Sequence, residues 1–144
     1  MPETVAIIPA RAGSQRIPGK NVRTLAGHPL LAYSIAAALQ SGVCDRVLVS
    51  TDSEEIAKIA LEYGAEVPEL RPLEMSGPSA HDILFLRHAM DHWVPATPDQ
   101  LWVIARPTSP LRSAQSIRAA RSALLEAPWA DSVRSLRSVN EHPG

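Results

Sequence analysis

The sequence holds one cysteine, Cys44, which excludes an intrachain disulfide and a thiolate metal cluster. Three Trp, two Tyr and one Phe are the only aromatics, and the formal net charge is −1. Neither stacking surfaces nor a basic field therefore argues for a nucleic-acid partner. No stretch approaches the roughly 18 to 20 consecutive apolar residues that span a bilayer, so no membrane partner is expected. The start, Met1-Pro2-Glu3-Thr4, lacks a basic n-region, and the apolar run after it is too short for a signal h-region. Cytoplasm is the expected compartment. The five histidines, at 28, 81, 88, 92 and 142, show no zinc-type spacing. His88 and His92 stand at i and i+4, but no glutamate follows the first, and the core-type residues Met90 and Trp93 interleave with them. Both are expected on a helix surface. Ser14 has no His–Asp pattern to make it a hydrolase nucleophile. Repeats, low-complexity tracts and linkers are also lacking, so 144 residues read as one domain with a real core.

What is present centres on Val5 to Asn21, VAIIPARAGSQRIPGKN. The apolar run Val5-Ala6-Ile7-Ile8 stops at Pro9. The loop after it contains Arg11, Arg16 and Lys20, Gly13 and Gly19, Ser14 and Asn21, and no acid. A buried strand feeding a cationic, amide-rich loop suits a polyanion such as a triphosphate. The loop is neither a G-x-x-x-x-G-K-[ST] nor a G-x-G-x-x-G. Three cations suit a reaction in which pyrophosphate leaves and charge builds on departing oxygens. An ordinary exposed loop shares this composition. Net charge is +2 over residues 1–21, −6 over 22–105 and +3 over 106–144, so two basic ends bracket an acidic middle and can share one anion site.

The pattern along the chain predicts a helix from Pro29 to Ser41 with Gly42 at its C-terminal end. A buried strand at 46–50 follows, then a helix with Ile56, Ile59, Ala60 and Tyr63 on one face, closed by Gly64. Ala65-Glu66-Val67 reads as a short strand ending at Pro68. A helix from about Ala80 to Trp93 is expected to bury Ile83, Leu86, Met90 and Trp93. Leu101 to Ala105 reads as a strand after a turn at Pro98-Asp99. Ser113 should N-cap a helix ending near Glu126, and Ser132 to Leu136 reads as a last strand. Strands alternating with amphipathic helices mean βαβ units, a mostly parallel sheet and a Rossmann-like three-layer α/β/α fold. Ligands of such sheets lie outside the strands' carboxyl ends, which directs attention to residues 9–21, 50–53, 68–82 and 105–112.

The ordered string IPARAGSQRIPGKN, followed by Leu25-Ala26-Gly27-His28-Pro29-Leu30-Leu31, resembles the signature of the nucleotide-sugar pyrophosphorylase superfamily. Within it the likeness is to the acylneuraminate cytidylyltransferases, or CMP-sialic acid synthetases. VSTDSEEIA at 49–57, ELRPLEM at 69–75 and ARPTSPLR at 105–112 resemble further blocks of that family in the same order. The resemblance implies a nucleotide-diphospho-sugar transferase type of fold over residues 1–144, a CTP substrate, an acidic sugar acceptor and Mg²⁺. In this family the dimerisation insertion and the late Asp-x-Asp motif that holds Mg²⁺ follow a block resembled by Asn140-Glu141-His142-Pro143. The chain therefore reads as the N-terminal nucleotide-binding part, truncated at the C-terminus, of an enzyme that is a homodimer at full length. By resemblance Arg11 and Lys20 are the catalytic candidates. Ala10, Arg11, Gly13, Ser14, Arg16, Lys20, Asn21, Arg71, Ala80 and Asp82 are the nucleotide-binding candidates, with Arg71 near the cytosine. Arg106, Thr108 and Ser109 are the sugar-binding candidates. Pro78 and Ala80 replace a common acid and a common hydroxyl of the family. Arg106 replaces a glutamine and can pair with a substrate carboxylate. Asp52 has two open readings: a metal or ribose contact, or an N-cap shared with Ser53 and answered by Glu55. Activity has alternatives too: a silent nucleotide-binding module, or transfer of another base or to another sugar acid.

Overall fold

The computed structural model describes residues 1–77, 79 and 81–136, the side chain of Asp82 excepted. Three parallel strands form the sheet in the order β4–β1–β5: β4 is Arg46–Ser50, β1 Thr4–Pro9 and β5 Leu101–Ile104. Val5 pairs with Arg46 on one side and with Trp102 on the other. Thr4, Val5, Ala6, Ile7 and Ile8 of β1 are buried, as a central parallel strand covered on both faces must be. Alternation then divides its side chains. Ala6 and Ile8 join Val47 and Val49 in one cluster, built with Leu31 and Ile35 of α1 (Leu30–Ser41), Ile56 and Ala60 of α2 (Glu54–Glu62) and Ile117 of α4 (Ala114–Leu125). Val5 and Ile7 face the other way. They meet Leu48, Val94, and Phe85 and Ala89 of α3 (Asp82–His92), with Trp93 and Trp102 alongside. The fold is α/β with helices on both faces of a parallel sheet.

Local chemistry explains most boundaries. Gly42 ends α1 at φ 66, the left-handed conformation that glycine adopts without a Cβ clash. Ser53 caps α2 by accepting from the Ile56 amide, and Ser113 caps α4 by accepting from the Ser116 amide.

Four expectations are corrected. Ala65-Glu66-Val67 is no strand but a single parallel bridge, Leu48 with Glu66, made by the bonds Val49 N to Glu66 O and Glu66 N to Val47 O; Pro68 supplies no amide to extend it. Ser132 to Leu136 forms no strand either. These residues are exposed, Leu136 at 93%, and no strand among the described residues pairs with them. The third helix begins at Asp82 and is rotated from the expected face: Leu86 and Trp93 pack against the core as expected, but Phe85, His88 and Ala89 are the buried residues and Ile83 is 52% exposed. The stripe of bulky aliphatics was misleading because the sole phenylalanine sets the rotation. His88 thus belongs to the interior, 5% exposed. A small antiparallel hairpin was not foreseen: β2 (Thr24–Leu25) pairs with β3 (His28–Pro29) across Ala26 and Gly27, both at positive φ. The Asn140–Pro143 block lies outside the described residues.

Candidate functional site

Beyond the carboxyl ends of the strands lies a cleft of about 340 Å³. The end of β1 supplies Pro9 and the segment after it Arg11, Lys20 and Asn21; the segment before α3 supplies Arg71, Met75, Gly77 and His81; α3 adds Phe85; and the segment after β5 adds Arg106, Pro107 and Thr108. Four of these residues carry fixed positive charge, and none is acidic. A cavity so lined stabilises an anion, because cations in a partly dry concavity are less screened than on an open surface.

The first wall is tied to the scaffold by short bonds. The Ala10 amide donates to Ser50 O at 2.9 Å, so that amide is spent on the fold rather than free for a ligand. Asp52, where the chain leaves β4, accepts from the Ala12 amide at 2.8 Å. Asp52 is therefore a tether for the loop, and the cap is Ser53. Asn21, itself buried, donates from Nδ2 to Arg11 O at 3.0 Å and closes the loop on itself. Gly19 sits at φ 63 and begins the single 3-10 turn that presents Lys20 and Asn21. Arg16 is exposed and does not line the cleft; Gly13 and Ser14 do not line it either. The three loop cations therefore do not act as one group: Arg11 and Lys20 converge, and Arg16 stands apart.

The second wall hangs on Arg71, whose amide donates to Thr51 O at 2.7 Å and whose side chain is bonded as well. Arg71 is 6% exposed; its Nε donates to Ser50 Oγ at 3.0 Å and its Nη2 to Ser50 O at 2.7 Å. Burial pushes the Arg71 guanidinium below its usual pKa. The group also lies 5.6 Å over the Phe85 ring, within cation–π range. Arg11 joins the two walls, donating from Nη1 to Gly77 O at 3.0 Å. Pro78, Ala80 and the Asp82 side chain lie outside the described residues, so their place relative to the cleft is left open.

On the third side, Ser34 of α1 donates to Arg106 O at 3.1 Å and fixes the start of the turn. Thr108 faces the cleft; Ser109 is exposed and not part of its lining. Arg112 lies close enough to Arg106 that burial and that neighbouring charge both lower its pKa. Sequence reasoning missed Met75, Gly77, His81 and Phe85. Only Phe85 left a signal, as the one residue of its type on an otherwise aliphatic helix. Among the described residues no three of His, Cys, Asp or Glu come together as a metal group, and no helix is long and apolar enough to cross a membrane.

A family model described as Cytidylyltransferase matches residues 5–142. CMP-N,N'-diacetyllegionaminic acid synthase of Legionella pneumophila is 45% identical over 120 residues, covering 79% of this chain and 50% of that protein. N-acylneuraminate cytidylyltransferase of Escherichia coli is 42% identical over 113 residues, covering 78% of this chain and 26% of that one. The chain thus matches half the length of the first relative and a quarter of the second. The solved structure of a CMP:2-keto-3-deoxy-manno-octonic acid synthetase complexed with CTP is alike at TM-score 0.72 and 20% identity, covering 88% of this chain and 48% of that one. At that identity the likeness concerns the fold.

Proposed function

The chain belongs to the cytidylyltransferase family, and from that premise we propose that it forms the nucleotide-binding part of an enzyme that moves CMP from CTP to an acidic nonulosonic sugar. In the reaction the acceptor's anomeric hydroxyl oxygen attacks the α-phosphorus in line. A new C–O–P linkage forms, the bond from the α-phosphorus to the bridging oxygen breaks, pyrophosphate departs, and the hydroxyl proton is released. Arg11 and Lys20 bind the β- and γ-phosphate oxygens and offset the charge that grows on the leaving group. Arg11 is suited to a two-pronged contact and Lys20 to a point charge. Asn21 holds the Arg11 backbone in place, and Arg71 with Phe85 forms the base end. Arg106 and Thr108 stand at the acceptor end, where Arg106 answers the sugar's carboxylate. Ser109 and the loop residues Gly13, Ser14 and Arg16 belong to the rim in this reading. Mg²⁺ is the divalent ion this chemistry calls for, and among the described residues no group of three His, Cys, Asp or Glu gathers to hold it. The acceptor is an N-acylneuraminate type of acid, a class to which the named products of both relatives conform.

The observation that carries the proposal is the cleft's charge: four cations, no carboxylate, and walls drawn from the loop after β1, the segment before α3 and the turn after β5. Heating the chain with and without millimolar CTP tests it. Ligand at 100 times Kd stabilises by about 2.7 kcal/mol, and at roughly 2–4 °C per kcal/mol for this size the midpoint should rise several degrees. Pyrophosphate release with CTP, Mg²⁺ and N-acetylneuraminate then separates a working transferase from its binding part alone. A midpoint that CTP leaves unmoved overturns the cytidine reading.

A further inference from the structure

The Glu69 carboxylate is gripped from α3 and its end. Glu69 Oε1 lies 3.2 Å from His88 Nε2 and accepts from Trp93 Nε1 at 3.1 Å. The His88 ring packs edge-on against Trp93 at 5.1 Å. His88 is almost fully buried, and its other nitrogen, Nδ1, is buried without a hydrogen-bond partner. A leucine would fill that space without stranding a ring nitrogen, so what the imidazole contributes is the contact from Nε2. Two residues after Glu69 comes Arg71; three residues before His88, on the same helix face, comes Phe85. Arg71 and Phe85 are stacked and both line the cleft.

We propose that Glu69 and His88 form a strut that sets the spacing between the 69–71 segment and α3, and thereby the base end of the cleft. His88 is a positioning residue: it does not line the cleft, and it acts through Arg71 and Phe85. Among the described residues α3 is the only helix on its face of the sheet, seated by Phe85, Ala89 and neighbouring apolar side chains. A helix so seated can slide by a fraction of an ångström unless a polar contact fixes it. The strut supplies that contact at the helix turn next to Phe85. It bears less on the phosphate end, because the Arg11 and Lys20 backbones are held by bonds to other parts of the chain, and only the Arg11 side chain reaches over to Gly77 O. The inference rests on the nucleotide reading above and deepens it by assigning the base end its own support.

Two ligands separate the ends of the cleft: CTP, which has a base, and inorganic tripolyphosphate, which does not. In equilibrium titrations of the full chain, His88→Leu should weaken CTP about tenfold and tripolyphosphate less than twofold. His88→Gln, which keeps a donor near Glu69, should recover most of the loss. Equal losses for both ligands, or CTP binding unchanged in His88→Leu, overturn the strut. Should His88→Leu fail to fold, Glu69→Ala removes the partner instead, from a side chain that is about half exposed. The same selective loss is expected, and its absence is equally decisive. A wild-type chain that binds neither ligand overturns the nucleotide reading and the strut with it, whereas tight wild-type binding with no selectivity in the variants overturns the strut alone.

Discussion

The two walls of the cleft are built on different plans. The loop after β1 is pinned through its main chain: the Ala10 and Ala12 amides donate forty residues away to Ser50 O and the Asp52 carboxylate, and Asn21 donates back to Arg11 O. The facing wall keeps one main-chain tie to the same strand end, the Arg71 amide donating to Thr51 O at 2.7 Å. Beyond it, side chains carry the wall: Arg71 on Ser50 and Phe85, and Glu69 on His88. A wall pinned through its main chain holds its shape with little help from its own side chains. A wall made of tertiary contacts shares its stability with the whole face of the sheet. The lesson is that phosphate binding and base binding rest on parts of the molecule that can fail separately.

The most damaging single change should fall on the second wall. Arg71→Leu removes both donations to Ser50 and leaves its buried hydroxyl unanswered, while the Ser50 carbonyl keeps the Ala10 amide. A stranded buried group costs about 1–3 kcal/mol, so the unfolding free energy should drop by about that much in urea denaturation. A loss below 1 kcal/mol would show that water replaces the guanidinium freely and that this wall is looser than its contacts suggest.

Next in size is Lys20→Ala, on the first wall. Lys20 is only partly buried and makes no contact on which the core depends, so stability should change little. Binding should change: a charge-assisted hydrogen bond is worth about 1.5–3 kcal/mol, which puts the weakening of CTP at roughly ten- to hundredfold. CMP, lacking the β- and γ-phosphates, should weaken less than threefold. Equal losses for CTP and CMP would remove Lys20 from the triphosphate and sharpen the contrast in the other direction, leaving Arg11 as the phosphate anchor.

The same contrast marks how far the residues alone could be read. β1, β4, β5, α1, α2 and α4 were legible because apolar runs, caps and end glycines act within a few residues of one another. The cationic loop was legible for the same reason. α3 was legible as a helix but not in its rotation, which is set by Phe85 against Arg71 and Ile7, partners far away in sequence. The burial of His88 was invisible without Glu69 beside it. The hairpin escaped because Ala26-Gly27 lacks the Asn-Gly or Asp-Gly signal of a tight turn, with Ala26 at φ 47 where alanine is uncommon. The strand expected at 132–136 failed on the opposite count: a suitable local pattern with no neighbour to pair with. Asp52 shows the limit most clearly. From its neighbours it reads as a metal or ribose contact or as a cap beside Ser53, and only the folded chain shows it reaching forty residues back to Ala12.

The smallest expected effect concerns two glycines of the first wall. Gly19 adopts φ 63, so Gly19→Ala should cost about 1 kcal/mol from backbone strain. Gly13 has no such demand: its φ is not in the left-handed region, and a Cβ there would meet nothing within 4 Å. Gly13→Ala should therefore leave the urea midpoint unchanged or slightly raised. Its effect on CTP then isolates one question, whether a phosphate closes on the backbone at this point. Nothing in the fold itself needs a glycine at 13, so an affinity loss of about fivefold with unchanged stability must come from the ligand's approach to the main chain. An unchanged affinity places the triphosphate against the Arg11 and Lys20 side chains instead, and confines the first wall's main chain to holding those two cations in position.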